Sequence, residues 1–186
     1  RLPKYEKMIK RIAKEQDIDW RLLAAVMMVE SAQDPRATSS VGAKGLFQFM
    51  PKTAEAIGLD DPTDPKKSAF AAARYLRRLM RRFRGAASPY DQRMMALASY
   101  NVGHAHVDDA RRLASRMDLD LELWNEGVSL TLPLLADREF AAEAKHGRCQ
   151  GLIATRYAEQ VSDLYEQYSQ LLPQTLVDRD GGLGDP

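Results

Sequence analysis

Apolar residues recur three and four positions apart through most of the chain, and alternating runs of the strand type are nearly absent, a pattern that predicts an all-α or α-dominated domain. About seven to nine helices follow from it at ordinary helix lengths. The first covers Pro3 to Gln16. The second starts at Asp19, whose side-chain oxygen can accept from the unpaired amides of a first turn, and runs to Ser31. The next stretch, "DPRATSSVGAKG", breaks the pattern with a proline, two glycines and small polar residues, which predicts a shaped loop with room for a short β-hairpin. "PKTAEAIG" predicts a short helix with Pro51 in its first turn and Gly58 at its end. "DPTDPKKSAFAAARYLRRLMRRFRG" predicts a long one capped by Asp64, opened by Pro65 and terminated by Gly85. Further helices fit Tyr90 to Tyr100, His104 to Arg116, Asp137 to Lys145, and Ala154 to Leu172. Residues 1–173 are expected to form one domain and residues 174–186 a flexible tail.

One position departs from this pattern. At about 100° per residue, Leu23, Val26, Met27 and Glu30 fall within roughly a 100° arc of the second helix, so the carboxyl of Glu30 sits in the middle of the apolar stripe. Burial disfavours the charged form and raises a carboxyl pKa toward neutrality, where the group can hold a proton and donate it. The competing structural reading is a glutamate paired with an arginine or capping a neighbouring helix. The helix ends directly after Glu30 and opens into the glycine-bearing loop, a suitable wall for a cleft. "GLFQF" then supplies Gln48, an amide able to donate and accept, between Phe47 and Phe49. Amides and aromatic rings suit sugars, although for a lone "FQF" core is the better reading of the rings. Asp34 lies past the helix end and before Pro35, where a turn or capping role is expected.

Composition narrows the classes. With 27 basic and 26 acidic side chains the net charge is +1, too small to imply nucleic acid as a partner. Cys149 is the only cysteine, so no intramolecular disulfide can form. No apolar run reaches the roughly 18 residues of a membrane span, and because the chain opens on Arg1 it reads as a piece of something longer. In "RYLRRLMRRFR", Arg74, Arg77, Arg78, Arg81 and Arg82 share one face, with Tyr75, Leu76, Leu79, Met80 and Phe83 on the other. That charge run reads as a solvated helix face, with attraction for anionic glycan strands, a membrane surface or nucleic acid as the alternative. His104 and His106 diverge on a helix and His146 is distant in sequence; neither a metal nor another cofactor is expected.

"ES" at Glu30 and Ser31, followed by "DPRATSSVGAKGLFQFMP" and later by "ALASYNVG", resembles the lysozyme-like domain of bacterial lytic transglycosylases of the soluble type. "IDWRLLAAV", "ARYLRRL" and "YNVGHAHVDDARRLA" are similar more narrowly to the membrane-bound type-F branch, with likeness from Leu2 to Tyr168. The resemblance implies a lysozyme-like fold and cleavage of the β-1,4 bond between N-acetylmuramic acid and N-acetylglucosamine in peptidoglycan. In that reaction the muramyl 6-hydroxyl attacks C1 and leaves a 1,6-anhydro end. It further implies Glu30 as the acid and then the base, with Ser31, Phe47, Gln48, Tyr100, Asn101 and Tyr157 around the substrate. Peptidoglycan glycan strands are the implied partner, together with a regulatory solute-binding-like domain outside these residues. The implied location is the bacterial periplasm or cell envelope, with the full-length protein anchored to the outer membrane. The sequence departs from the family where a glutamate and a threonine usually precede the last tyrosine: Ile153 and Ala154 stand there instead. That departure leaves room for a non-catalytic peptidoglycan-binding or scaffolding domain.

Overall fold

A computed structural model describes residues 4–172; the expected tail, residues 174–186, lies outside them. Nine α-helices are present among the described residues: α1 (Glu6–Glu15), α2 (Trp20–Ser31), α3 (Pro51–Ile57), α4 (Pro65–Arg82), α5 (Pro89–Val102), α6 (His104–Arg116), α7 (Ser129–Thr131), α8 (Arg138–Ala142) and α9 (Gly151–Leu171). The expected caps Asp19 and Asp64 are in place, whereas α4 stops at Arg82, short of the expected terminator Gly85, and α5 opens at Ser88 and Pro89, ahead of the expected start at Tyr90. Asp19 accepts from the amide of Arg21, Asp64 from that of Lys67 and Ser88 from that of Asp91. Pro51, Pro65 and Pro89 open α3, α4 and α5, where a missing amide hydrogen costs nothing. Gly58 closes α3 in the left-handed conformation, φ +73°.

Helix α5 is the centre of the fold. The run Met94–Ser99 is buried on every side, and α4, α6 and α9 pack around it. A helix that is apolar all round has to be an interior one. Helix α9 also lies along α2, so Leu23, Met27, Ala154, Ala158 and Val161 belong to one continuous core. Helix α1 closes the far side against α2 and α4 through Ile9 and Ile12.

Two expectations change here. The loop after α2 forms no hairpin: among the described residues it holds only isolated bridges, Thr38 with Lys44 and Lys44 with Phe49. Its short segments turn back too soon for a ladder to propagate. Conversely, residues 117–136 fold more than the pattern suggested, with a π-helical turn at Trp124–Val128 running into α7 and then a 3-10 turn at Pro133–Ala136. Trp124 is fully buried, and its backbone amide donates to Asp91 Oδ1 at 2.7 Å. Gly127 is required in this turn, because a Cβ there would sit 1.8 Å from the carbonyl oxygen of Asp120.

Candidate active site

Helix α2 delivers Glu30 to its last turn, one residue before the chain leaves helical geometry. Ala32 and Gln33 then take positive φ values of 49° and 70°, an uncommon conformation for residues with a Cβ. Two successive left-handed residues turn the loop sharply across the end of the helix. Ser31 fixes that crossing: its hydroxyl lies 2.9 Å from the carbonyl oxygen of Leu46 and 3.3 Å from that of Met27.

Within the loop, Gly45 has φ +80° and packs so closely on the following segment that a Cβ would come 1.7 Å from the carbonyl oxygen of Pro62. Gln48 is also left-handed, φ 47°. Its Nε2 donates to the carbonyls of Ala37 at 3.1 Å and Gly45 at 2.9 Å. Both partners are acceptors, so the amide orientation is determined, and both hydrogens of the NH₂ group are used. The oxygen Oε1 is left to accept from a ligand.

Glu30, Gln48, Tyr100 and Asn101 line one cleft of about 440 Å³, together with Ser39, Phe49, Thr53 and Tyr75. Among the described residues Glu30 is the only carboxylate on its wall. No ion pair reaches it among the described residues. Its Oε1 accepts a hydrogen bond from the Tyr157 hydroxyl of α9 at 2.7 Å. Burial pushes the Glu30 carboxyl up to about 7, and the Tyr157 hydrogen bond, which favours the ionised form, only partly opposes the rise. A group in this state is protonated in a large fraction of molecules at neutral pH and can exchange that proton in either direction. The alternative of an arginine-paired structural glutamate does not describe this residue.

An aromatic cluster backs the wall. Tyr100 stacks on Tyr157 with ring centroids 6.4 Å apart and planes 7° from parallel, and meets Tyr75 at 5.5 Å and Phe49 at 5.9 Å. The Tyr100 hydroxyl donates to the Phe47 carbonyl at 3.0 Å, tying α5 to the loop. Burial, followed by the nearby Glu30 charge, lifts both Tyr100 and Tyr157 well above the usual phenol range, so both remain proton donors.

Three residues expected around the substrate take other positions. The ring of Phe47 is fully buried in the core, so only its carbonyl contributes to the site, by accepting from Tyr100. Alternate positions of this loop face opposite ways, and Phe49 is the ring that reaches the cleft. Tyr157 is only 8% exposed and stands behind Glu30, away from the cleft wall. Ser31 is turned toward the Leu46 carbonyl, where it braces the loop. Asp34 accepts from the amide of Arg36 at 2.9 Å, the turn role expected of it. Tyr75 also belongs to this wall, although its helical spacing marked it only as an apolar position of α4. Among the described residues no group of three or more His, Cys, Asp or Glu side chains is placed to hold a metal ion.

A helical domain whose cleft carries one sheltered acid matches a known family: residues 7–121 fit the transglycosylase SLT domain, and the chain belongs to that family. It is 38% identical over 170 residues to a membrane-bound lytic murein transglycosylase F from Desulfosudis oleivorans, an alignment covering 91% of this chain and 37% of the relative. The chain thus spans little more than a third of that relative's length. Among solved structures it is similar to the 70 kDa soluble lytic transglycosylase of Escherichia coli, with a TM-score of 0.63 and 19% identity over 91% of this chain and 25% of that one. An inactive glutamate-to-glutamine mutant of the Pseudomonas aeruginosa lytic transglycosylase Slt also matches, with a TM-score of 0.63 and 22% identity over 96% of this chain and 26% of that one. These likenesses establish the lysozyme-like fold.

Proposed function

We propose that this chain is the catalytic domain of a peptidoglycan lytic transglycosylase, cleaving the bond between N-acetylmuramic acid and N-acetylglucosamine without water. The observation that carries this reading is Glu30, alone among carboxylates of the described residues on the cleft wall and held near neutral pKa. A retaining hydrolase needs a second carboxyl about 5 Å away and an inverting one about 6.5–9.5 Å away. One acid suffices if the nucleophile belongs to the substrate. Glu30 first protonates the leaving glycosidic oxygen. The resulting carboxylate then takes the proton of the muramyl 6-hydroxyl as that oxygen closes on C1, giving a 1,6-anhydro ring and returning Glu30 to its starting state. The Tyr157 hydroxyl supports the intermediate carboxylate. Gln48 Oε1 and the exposed side chain of Asn101 offer hydrogen-bonding groups for sugar hydroxyls and acetamides. The inactivity of a glutamate-to-glutamine mutant of the Pseudomonas aeruginosa relative supports one indispensable glutamate.

The second reading, a scaffold that binds murein without cutting it, draws on Ile153 and Ala154. Ile153 is 57% exposed and Ala154 is fully buried. Neither replaces a group on the cleft wall of this protein. One experiment separates the readings: purified sacculi are incubated with the protein and with Glu30→Gln, and the soluble products are weighed. Anhydro-muropeptides from the parent protein, reduced at least about 1000-fold in the variant, are expected. Reducing-end products would indicate a hydrolase, and binding without soluble product a scaffold. The relatives' membrane-bound designation supports a place in the cell envelope. No helix of the described residues is long and apolar enough to cross a membrane.

A further inference from the structure

A second groove, of about 470 Å³, opens beside the cleft and shares Tyr75 with it as a common wall. The end of α3 and the following turn form one side, and Lys67, Phe70, Arg74, Tyr75 and Arg78 of α4 form the other. Lys67 is paired with Asp60 at 2.8 Å. Arg74 and Arg78 are different. Both are exposed, and neither forms an ion pair with an acidic side chain among the described residues. Each guanidinium instead lies against an aromatic ring, Arg74 over Phe70 at 5.9 Å and Arg78 over Tyr75 at 5.1 Å.

A groove on α6 gives the contrast. It is also rich in arginine, but there Arg82 is paired with Asp108, Arg112 with Asp109 and Arg116 with Glu143, while Arg111 donates to the Leu121 carbonyl. Those cations are already satisfied. Like charges four residues apart on a helix repel each other, so two unpaired guanidiniums at positions 74 and 78 cost stability unless an anion sits between them. Arg78 also hydrogen-bonds the Tyr75 side chain, but that partner is a neutral phenol and leaves the charge unpaired, and a guanidinium carries further donors suited to bidentate contact with carboxylates.

We infer that this groove binds the carboxylates of the short peptides that hang from the muramic acid residues of peptidoglycan, with Arg74 and Arg78 as the contacting groups. This rests on the proposed peptidoglycan substrate. Polymerised glycan is neutral where its lactyl groups are amidated, so its peptides are the part that carries carboxylates. A strand seated against Glu30 would pass its peptides along the wall at Tyr75, within reach of α4. The interaction sets substrate preference rather than chemistry.

The test reads binding first, without any need for catalysis. A fluorescent tripeptide with free α- and side-chain carboxylates, and its fully amidated counterpart, are titrated against the parent protein, the Arg74→Gln/Arg78→Gln double variant, and Arg81→Gln, an equal type of change on the same helix outside the groove. The carboxylate peptide should bind the parent and Arg81→Gln alike, and lose about tenfold or more in the double variant and on amidation, with affinity falling as salt is raised. A second measurement compares turnover of peptide-bearing glycan strands with that of strands stripped of peptide by an amidase. The parent's preference for peptide-bearing strands should shrink toward unity in the double variant. Equal binding of the amidated peptide, or an affinity untouched by the double substitution, overturns the inference, as does an equal loss of turnover on both substrates. If the parent cleaves neither strand, the proposed activity fails while the titrations still decide the groove. Circular dichroism of each variant excludes misfolding as the cause.

Discussion

At the scale of single residues, the consequential arrangement is a carboxyl in apolar surroundings with one hydroxyl to speak to. The Tyr157 hydrogen bond stabilises the carboxylate, so removing it should raise the Glu30 pKa further. In kcat/KM, the parent should lose activity as pH rises through about 7, when Glu30 gives up its proton. Tyr157→Phe should move that alkaline limb up by about one pH unit, the equivalent of one hydrogen bond to a charged group. A limb that stays put would remove Tyr157 from the titration. The same shift has a stability counterpart. The folded protein holds the Glu30 proton to about 7 whereas the unfolded chain releases it near 4.5, so between those values the folded state binds more protons and stability falls as pH rises. Glu30→Gln should abolish this slope. Urea unfolding of parent and variant at pH 4 and pH 8 should therefore diverge by roughly 3 kcal/mol in favour of the variant at the higher pH. The pairing itself was not legible in the sequence: the apolar stripe marked Glu30, but its partner lies 127 residues away, and nothing local to "IATRYAEQV" tells a core tyrosine from one that reaches a carboxyl.

At the scale of elements, helices with periodic faces and chemical caps were readable, and the segments that interrupt them were not. Asp19, Asp64 and the prolines that open α3 and α4 act where the sequence places them. The segment Trp124–Ala136 escaped because Gly127 and Pro133 look like breakers, yet the turns there are short and non-α, and a buried tryptophan with a carboxylate contact holds them. Glycine 45 belongs to the same class of features seen only in three dimensions. Its left-handed backbone lets the loop lie on Pro62, and its carbonyl accepts from both the backbone and the side chain of Gln48. Gly45→Ala should destabilise the fold by about 2 kcal/mol or more in urea and lower turnover as Gln48 is displaced. An unchanged midpoint would show that the loop yields freely.

For the whole molecule, the site is distributed rather than local. Helix α2 contributes the acid, the loop Gln48, α4 Tyr75, α5 Tyr100 and Asn101, and α9 the hydroxyl behind the acid. The family match ends at residue 121, but α9 covers α2 and α5 with Ala154, Tyr157, Ala158 and Val161, all buried. A chain ending at residue 121 should therefore fail to give a cooperative thermal transition, and circular dichroism during heating would reveal it. Cooperative melting would mean that the first six helices are self-sufficient. Fold class was the most accessible part of the sequence, since helix periodicity accumulates over the entire chain, whereas the composition of a cleft drawn from five elements depends on packing angles that no window of sequence contains.

The contact between α2 and α9 also sets an order of events. As the polypeptide leaves the ribosome amino end first, Glu30 emerges 127 residues ahead of the tyrosine that will sit behind it. The hydroxyl that stands behind it arrives only when α9 docks on α2, so the acid and its hydrogen-bond partner are brought together late in synthesis.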